Sequence, residues 1–221
     1  MSKIRLKFSK MGMGKYISHL DLLRTFTRAI HRAGLPVRYS QGFNPHQLIT
    51  FSLPLALGVT SETEFVDIDF EEGTSAVEVV EKLNGSLPPD IRILNASEPK
   101  CKANDIVSAR YIIKMDLCGL VSKARLQEFF NLNEILAVKK TKRGEKEINL
   151  RDYITMYDLK ELTENTAKFE VILLAGGENN LKPDILVAKL CEFLGSCATE
   201  SYEIHRTEIF CKDGEKVKNF Y

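Results

Sequence analysis

Residues 3–8 read Lys3-Ile4-Arg5-Leu6-Lys7-Phe8, a strict alternation of cationic and apolar side chains. Successive side chains of a β-strand point to opposite faces of the sheet. Ile4, Leu6 and Phe8 therefore share one face, and Lys3, Arg5 and Lys7 share the other. The stretch predicts a strand with one face on a hydrophobic core and one cationic face.

A helix is predicted directly after this strand. Ser18 followed by Asp21 is typical of a helix start, and Gly34 with Pro36 is typical of a helix end, so the helix spans roughly residues 19–33. It carries an apolar stripe and a cationic stripe, each repeating at helical spacing. The apolar stripe consists of Leu22, Phe26, Ile30 and Ala33, and the cationic stripe of Arg24, Arg28 and Arg32.

The rest of the first half continues as strand, strand, helix, strand, which completes a β-α-β-β-α-β order. The strand-like segments lie near residues 37–39, 47–53, 63–70 and 91–94, and the second helix near residues 75–84. This order is the ferredoxin-like plan, in which both helices cover one face of an antiparallel sheet.

The second half repeats the plan in rougher form, with extra strand material between residues 147 and 163. Its strands are expected near 109–118, 135–138, 168–174 and 202–210, and its helices near 122–132 and 183–194. The predicted fold class is therefore α+β, with two tandem ferredoxin-like (βαββαβ-type) domains that have antiparallel sheets and helices on one face. The polar stretch from 95 to 105 is the expected linker, which gives an N-terminal domain at 1–95 and a C-terminal domain at 106–221.

The charges are distributed unevenly along a nearly neutral chain of 221 residues with a net charge of +1. Residues 1–50 hold nine cations and one acid, a net charge of +8, whereas residues 51–100 hold three cations and ten acids, a net charge of −7. Such separation can create a field over one face, which makes a polyanion the leading partner class. The alternative is that the acidic block folds back and neutralises the basic one.

Composition excludes several other classes. The sequence has no apolar run of membrane-spanning length and no signal-peptide pattern at its start, so we expect a cytoplasmic protein without membrane contact. Its five cysteines form no CxxC pair, which argues against a disulfide framework or a compact metal site. We predict no cofactor and no metal.

The cationic side chains predicted to contact RNA come from the first strand, the first helix and the strand-like segment after it. They are Lys3, Arg5, Lys7, Arg24, Arg28, Arg32 and Arg38. Asp67 and Asp69 alternate on their own strand and could pair across the sheet with Arg5 and Lys7, which would reduce this surface. A second basic run, Lys139–Arg143 with Lys146, is an alternative contact on a hairpin-like loop.

An irregular segment at residues 39–46 (YSQGFNPH), here called the motif loop, connects two strand-like stretches. The segment begins at Tyr39. Gly42 permits a positive φ and Pro45 fixes the turn after Asn44, so Phe43 and His46 would project from the loop. Loops of this kind often carry binding residues. The alternative is a packed loop in which Phe43 fills the edge of the core and His46 caps a backbone carbonyl.

The motifs together resemble a known bacterial family. The resemblance is carried by residues 17–21 (ISHLD) with Arg24, by the motif loop, and by residues 51–55 (FSLPL) with Gly58. The family is the radical-SAM-linked family of unknown function, whose members are often fused to, or encoded beside, a radical-SAM protein. The resemblance implies a radical-SAM partner and, because kin in some genomes lie near ribosome-associated and ribonuclease genes, a role connected with RNA. The cysteine spacing here cannot hold a radical-SAM cluster, so this chain would be the accessory partner.

Two histidines are the candidate catalytic groups. His19 stands at the predicted helix start near Asp21, and His46 lies in the motif loop, so either imidazole could act as a general base. No phosphate-binding P-loop, dinucleotide fingerprint or nucleophile elbow is present. We therefore expect a binding or accessory protein that recognises RNA or a ribosome-associated particle. The alternatives are a metal-independent endoribonuclease that uses His19 or His46, and a protein docking module without nucleic-acid contact.

Overall fold

The computed structural model describes residues 2–141, 144–177 and 179–221. Two compact units make up the chain, one formed by Met1–Ile106 with Cys211–Tyr221 and the other by Val107–Phe210. The sheets of both units are antiparallel and carry helices, which confirms the α+β class. The predicted boundaries at 1–95 and 106–221 stay a prediction.

The first unit begins with four strands and two helices, and its strand order is β4-β1-β3 with the short β2 paired to β3. Ser18 caps the first helix by accepting a hydrogen bond from the Asp21 backbone amide at 3.2 Å. The elements are β1 (Ser2–Lys10), α1 (His19–Arg32), β2 (Ile49–Phe51), β3 (Thr60–Phe70), α2 (Ala76–Ser86) and β4 (Ile91–Ser97). These bounds lie within a few residues of the predicted segments, except that the predicted strand near 37–39 is reduced to isolated bridges at Val37 and Tyr39.

One face of this sheet holds the core of the first unit. The apolar residues of β1 that were predicted to face inward are buried, as are the alternate residues of β3 beside them. The apolar stripe of α1 and two residues of α2 complete the same cluster. Its central members are Ile4, Leu6, Phe8, Leu22, Phe26, Ile30, Val66, Ile68, Phe70, Val79 and Leu83. Both helices therefore cover one face of the sheet, as the alternation in β1 predicts.

The second unit has the strand order β10-β5-β9-β8, and a separate hairpin pairs β6 with β7. Its elements begin with β5 (Ile106–Leu117), α3 (Lys123–Asn131), β6 (Leu136–Thr141) and β7 (Gly144–Asn149). They continue with β8 (Ile154–Leu162), β9 (Thr166–Leu174), α4 (Pro183–Leu194) and β10 (Ala198–Asp213), and β11 (Lys216–Asn219) closes the chain. The extra strand material predicted between 147 and 163 corresponds to the end of β7 and to β8.

Candidate functional site

The motif loop is a closed hairpin that projects from the edge of β3. Tyr39 and Gln47 form a backbone bridge, and the Ser40 amide donates to the His46 carbonyl at 2.8 Å. Ser40 Oγ also accepts from the His46 amide at 3.1 Å and lies 2.9 Å from His46 Nδ1. Gly42 adopts a φ of 122°, a backbone conformation that residues with a side chain rarely adopt. These bonds fix the loop although most of its side chains are exposed.

The base of the loop is anchored to the sheet by backbone hydrogen bonds. The Arg38 amide donates to the Asp69 carbonyl at 2.8 Å, and the Asp69 amide donates to the Leu48 carbonyl at 3.1 Å. Because β3 also packs beneath α1, this anchoring holds the loop beside the helix. The sequence predicted the loop but not what it would face.

A groove of about 550 Å³ separates α1 from the motif loop. Its walls combine a few apolar side chains with polar and cationic ones, and no acidic residue of the described chain lines it. We call it the α1 groove. Its lining residues are Leu23, Thr27, Arg28, His31, Arg32, Tyr39, Pro45, His46, Gln47 and Ile49.

Gln47 is the most enclosed polar side chain of the α1 groove, with 8% of its surface exposed. Its Nε2 donates to Tyr39 Oη at 3.4 Å and to the Thr27 carbonyl at 3.5 Å, both at the outer limit of hydrogen bonding. Its Oε1 is buried and has no hydrogen-bond partner within the part of the chain that the structure describes. Sequence reasoning missed this residue because nothing in its neighbours indicates that it would be enclosed.

The cations of α1 differ in how well they are neutralised. Arg24 forms an exposed ion pair with Asp21 at 3.1 Å and does not line the α1 groove. Arg32 donates to the Ser86 carbonyl at 2.6 Å, which orients its guanidinium without cancelling its charge. Arg28 is exposed and forms no ion pair with any described residue. The positive charge therefore concentrates at the C-terminal half of α1.

The cationic face predicted for β1 is not a continuous positive surface. Arg5 is 1% exposed, and its Nε and Nη2 donate to Asp67 at 2.7 and 2.8 Å. The guanidinium also lies 4.1 Å from the ring centroid of Phe220. Lys3 is exposed and lies 3.5 Å from Asp69, and Lys7 is half-buried opposite Phe65. The predicted acidic pairing thus occurs, although Asp69 faces Lys3 and not Lys7.

The other predicted site residues lie apart from the α1 groove. Arg38 is exposed and lines a separate cavity of about 720 Å³ that also includes Glu71 and Glu72. Phe43 is fully exposed at the tip of the motif loop and does not plug the core edge. Lys142 and Arg143 of the second basic run lie outside the described residues, and burial, followed by the charge of Lys146, lowers the pKa of Lys139.

The two candidate catalytic histidines occupy different places. His19 is exposed at the start of α1, where its ring lies edge-to-face with that of Phe51 at a centroid distance of 5.4 Å, and it is not part of the α1 groove. His46 lines the groove, and so does His31 near the end of α1. Across the described ranges, no group of three or more His, Cys, Asp or Glu side chains could hold a metal ion.

Comparisons with known proteins place the chain in a family and a fold. Residues 3–183 match the model of an uncharacterized protein family conserved in bacteria, DUF2344. No curated protein sequence matches the chain. Among the helices described, none is long and apolar enough to cross a membrane.

Solved structures with a similar fold share little sequence with this chain. One chain of a Cbf5–Nop10–Gar1 complex is 13% identical with a TM-score of 0.55, over 94% of this chain and 48% of that one. A chain of an archaeal box H/ACA sRNP Nop10–Cbf5 complex is 12% identical with a TM-score of 0.52, over 92% and 46%. A chain of an H/ACA RNP bound to a substrate RNA containing 2'-deoxyuridine is 13% identical with a TM-score of 0.52, over 93% and 46%. This chain thus spans about half the length of each, and identities this low indicate a shared fold only.

Proposed function

The chain belongs to the bacterial family DUF2344, and for this member we propose a role as an RNA-binding accessory protein that uses the α1 groove. The observation that carries the proposal is that two cations of α1, Arg28 and Arg32, meet the motif loop at a groove lined by no described acidic residue. Cationic side chains supply most of the affinity of a protein for a phosphate backbone. Two of the three structures named above are described as RNA–protein particles, which favours RNA as the polyanion.

We propose a smaller set of RNA-contact residues than the sequence predicted. Arg28 and Arg32 would contact phosphates at the groove, and Arg24 could extend the contact along α1 once it leaves Asp21. Lys3, Lys7 and Arg38 stay possible outer contacts because they are at least partly exposed. Arg5 takes no part in this proposal, because its guanidinium is buried and held by Asp67.

The test is RNA affinity as a function of salt. We expect Arg28→Glu with Arg32→Glu to weaken binding of a single-stranded RNA about 10- to 100-fold and to flatten the salt dependence, because two phosphate contacts are lost. The matched control is Lys82→Glu with Arg92→Glu, which changes the net charge equally at exposed positions outside the groove. Equal losses in the two double variants would contradict a local contact at α1.

RNA cleavage is a second candidate function, favoured by the presence of His31 and His46 in one groove with two arginines. A pair of imidazoles can serve as general base and general acid for cleavage without a metal ion. Purified protein should then shorten RNA in the presence of a chelator, and both His31→Ala and His46→Ala should stop the reaction. His19→Ala is the control, because His19 does not line the groove; cutting that survives in all three variants would indicate a contaminant.

We further propose a radical-SAM protein as the partner, on the strength of the family resemblance. The two proteins should co-purify from the native host after nuclease treatment, since a direct contact does not depend on RNA. Co-purification that disappears with nuclease would indicate that RNA bridges them. The alternative is a docking module without nucleic-acid contact. Such a module would also co-purify after nuclease treatment, but it would show no RNA affinity.

Two tandem ferredoxin-like folds stay our interpretation of the architecture. The order β10-β5-β9-β8 is the fourth-first-third-second arrangement of that plan, with the β6–β7 hairpin inserted after α3. The order β4-β1-β3 with β2 on β3 follows the same plan in the first unit. The proposed domains at 1–95 and 106–221 would be tested by limited proteolysis of the intact chain, which should cut first between residues 95 and 106.

A further inference from the structure

We infer that the α1 groove takes up a single unpaired adenine base, whose edge is recognised by Gln47 while the flanking phosphates meet Arg28 and Arg32. This inference rests on the proposed RNA-binding function and specifies its ligand. Phosphate contacts alone require only exposed cations. The groove is instead a concave space of about 550 Å³, within the range of sites that enclose a small molecule or part of one.

Gln47 supplies the first argument. A buried side-chain oxygen without a hydrogen-bond partner is uncommon in folded proteins and calls for an explanation. Oε1 of Gln47 is such an atom among the described residues, and the two hydrogen bonds that hold Nε2 are both long. The carboxamide of Gln47 is therefore held in position by weak hydrogen bonds, and its oxygen lacks a donor among the described residues. A ligand that donates one N–H to Oε1 would satisfy it.

The chemistry of that missing partner favours adenine. An amide side chain can pair with adenine through two hydrogen bonds, accepting from the N6 amino group and donating to N7. Oε1 is buried without a partner among the described residues, so the Gln47 side chain must turn toward the groove for Oε1 to accept from N6. The same movement would let Nε2 exchange its 3.4 Å contact with Tyr39 for a bond to N7. Uracil can also pair with an amide, through its N3–H and one carbonyl, but its single ring offers less area for stacking on Tyr39 than a purine does.

The surroundings of Gln47 suit an aromatic base. The ring of Tyr39 is half-exposed and lines the groove, and Leu23, Pro45 and Ile49 provide apolar contact. Bases of single-stranded RNA stack readily on aromatic side chains. A base within a duplex is already paired and stacked, so it could not enter. The geometry thus points to a single-stranded segment.

The experiment compares fluorescent 12-residue oligoadenylate and oligouridylate by anisotropy at fixed salt. The wild type should bind oligoadenylate about ten-fold more tightly than oligouridylate, and an oligoadenylate–oligouridylate duplex should show no such gain. Gln47→Leu keeps the volume but removes the amide, so it should lower oligoadenylate affinity to the oligouridylate level. The matched control is Gln41→Leu, an exposed amide of the same loop outside the α1 groove.

A second variant guards against misfolding of Gln47→Leu. Tyr39→Ala removes the proposed stacking surface from a half-exposed position, and it should also abolish the preference for oligoadenylate over oligouridylate. Retention of a ten-fold preference in a folded Gln47→Leu protein would overturn the inference. So would equal affinities of the wild type for the two oligomers.

Two further measurements distinguish failure of the adenine site from failure of the RNA-binding proposal. If Arg28→Glu with Arg32→Glu abolishes binding of both oligomers but no base preference exists, the adenine site is wrong and the RNA-binding proposal stands. If neither oligomer binds to the wild type, the proposed function fails as well. Adenosine monophosphate is the remaining probe: affinity equal to that of the 12-residue oligomer would identify a free nucleotide as the ligand and overturn recognition of a strand.

Discussion

At the scale of single residues, Arg5 shows how a strand pattern can predict a pairing and still mislead about function. Alternation placed Arg5 on a cationic face, and alternation in β3 placed Asp67 opposite it. The observed register joins these two residues directly. A carboxylate that accepts two hydrogen bonds from a buried guanidinium is a structural pair, because neither charge is left to attract a ligand.

This pair predicts an asymmetry between two neighbouring acids. Asp67→Asn removes the charge that compensates buried Arg5, so we expect the free energy of unfolding to fall by about 3 kcal/mol. Asp69→Asn alters only the looser, more exposed contact with Lys3 and should cost less than about 1 kcal/mol. Urea-induced unfolding followed by circular dichroism at pH 7 measures both. Similar losses would mean that Arg5 does not depend on Asp67.

At the scale of elements, the bounds of α1 were predicted well because its N-cap and its apolar stripe are formed by residues close together in sequence. The predicted span of 19–33 compares with His19–Arg32 in the structure. Ser18 Oγ accepts from the Asp21 amide and donates to Asp21 Oδ2 at 2.7 Å. The hydrogen bond from Ser18 is the main cause that lowers the pKa of Asp21, followed by the hydrogen bond from Arg24.

Replacement of this cap should destabilise α1 in a pH-dependent way. Ser18→Ala removes the hydroxyl that accepts from the Asp21 backbone amide, so we expect the free energy of unfolding to fall by about 1 kcal/mol at pH 7. Because the pKa of Asp21 is lowered in the folded state, its carboxylate contributes stability at pH values above the usual aspartate pKa near 4. That contribution is lost as the pH falls through the folded-state pKa. The difference between wild type and variant should therefore narrow at acidic pH. Thermal unfolding between pH 7 and pH 3 measures it, and a constant difference would contradict the role of the carboxylate.

The α1 groove itself could be predicted only in part. The residues of the motif loop and the arginines of α1 were identified because each belongs to a local pattern. The position of the motif loop beside these arginines was not predicted, because it depends on the backbone hydrogen bonds that join Arg38 and Leu48 to Asp69 in β3. Gln47 and His31 gained their importance from the same packing. Short-range periodicity identifies such residues but not the surface that they share.

At the scale of the whole molecule, the position of the C-terminal segment was beyond sequence reasoning. Residues 211–221 form part of the first compact unit, although they lie more than a hundred residues from the rest of it along the chain. Phe220 is 1% exposed, with its ring centroid 5.2 Å from that of Phe65 and its face over Arg5. No local pattern near residue 220 specifies this contact, because its partners come from β1 and β3.

The contact makes the last residues of the chain part of the core of the first unit. Phe220→Ala should lower the stability of that unit by about 3 kcal/mol, since it removes a buried ring from Phe65 and uncovers the Arg5 guanidinium. Val217→Ala, at an exposed position of β11, is the control and should change it by less than about 0.5 kcal/mol. Hydrogen exchange read by mass spectrometry localises the effect: faster exchange in β1 and β3 is expected, because these strands carry Arg5 and Phe65. Unchanged exchange there, with loss of protection confined to residues 211–221, would show that the segment only rests on the unit and does not support it.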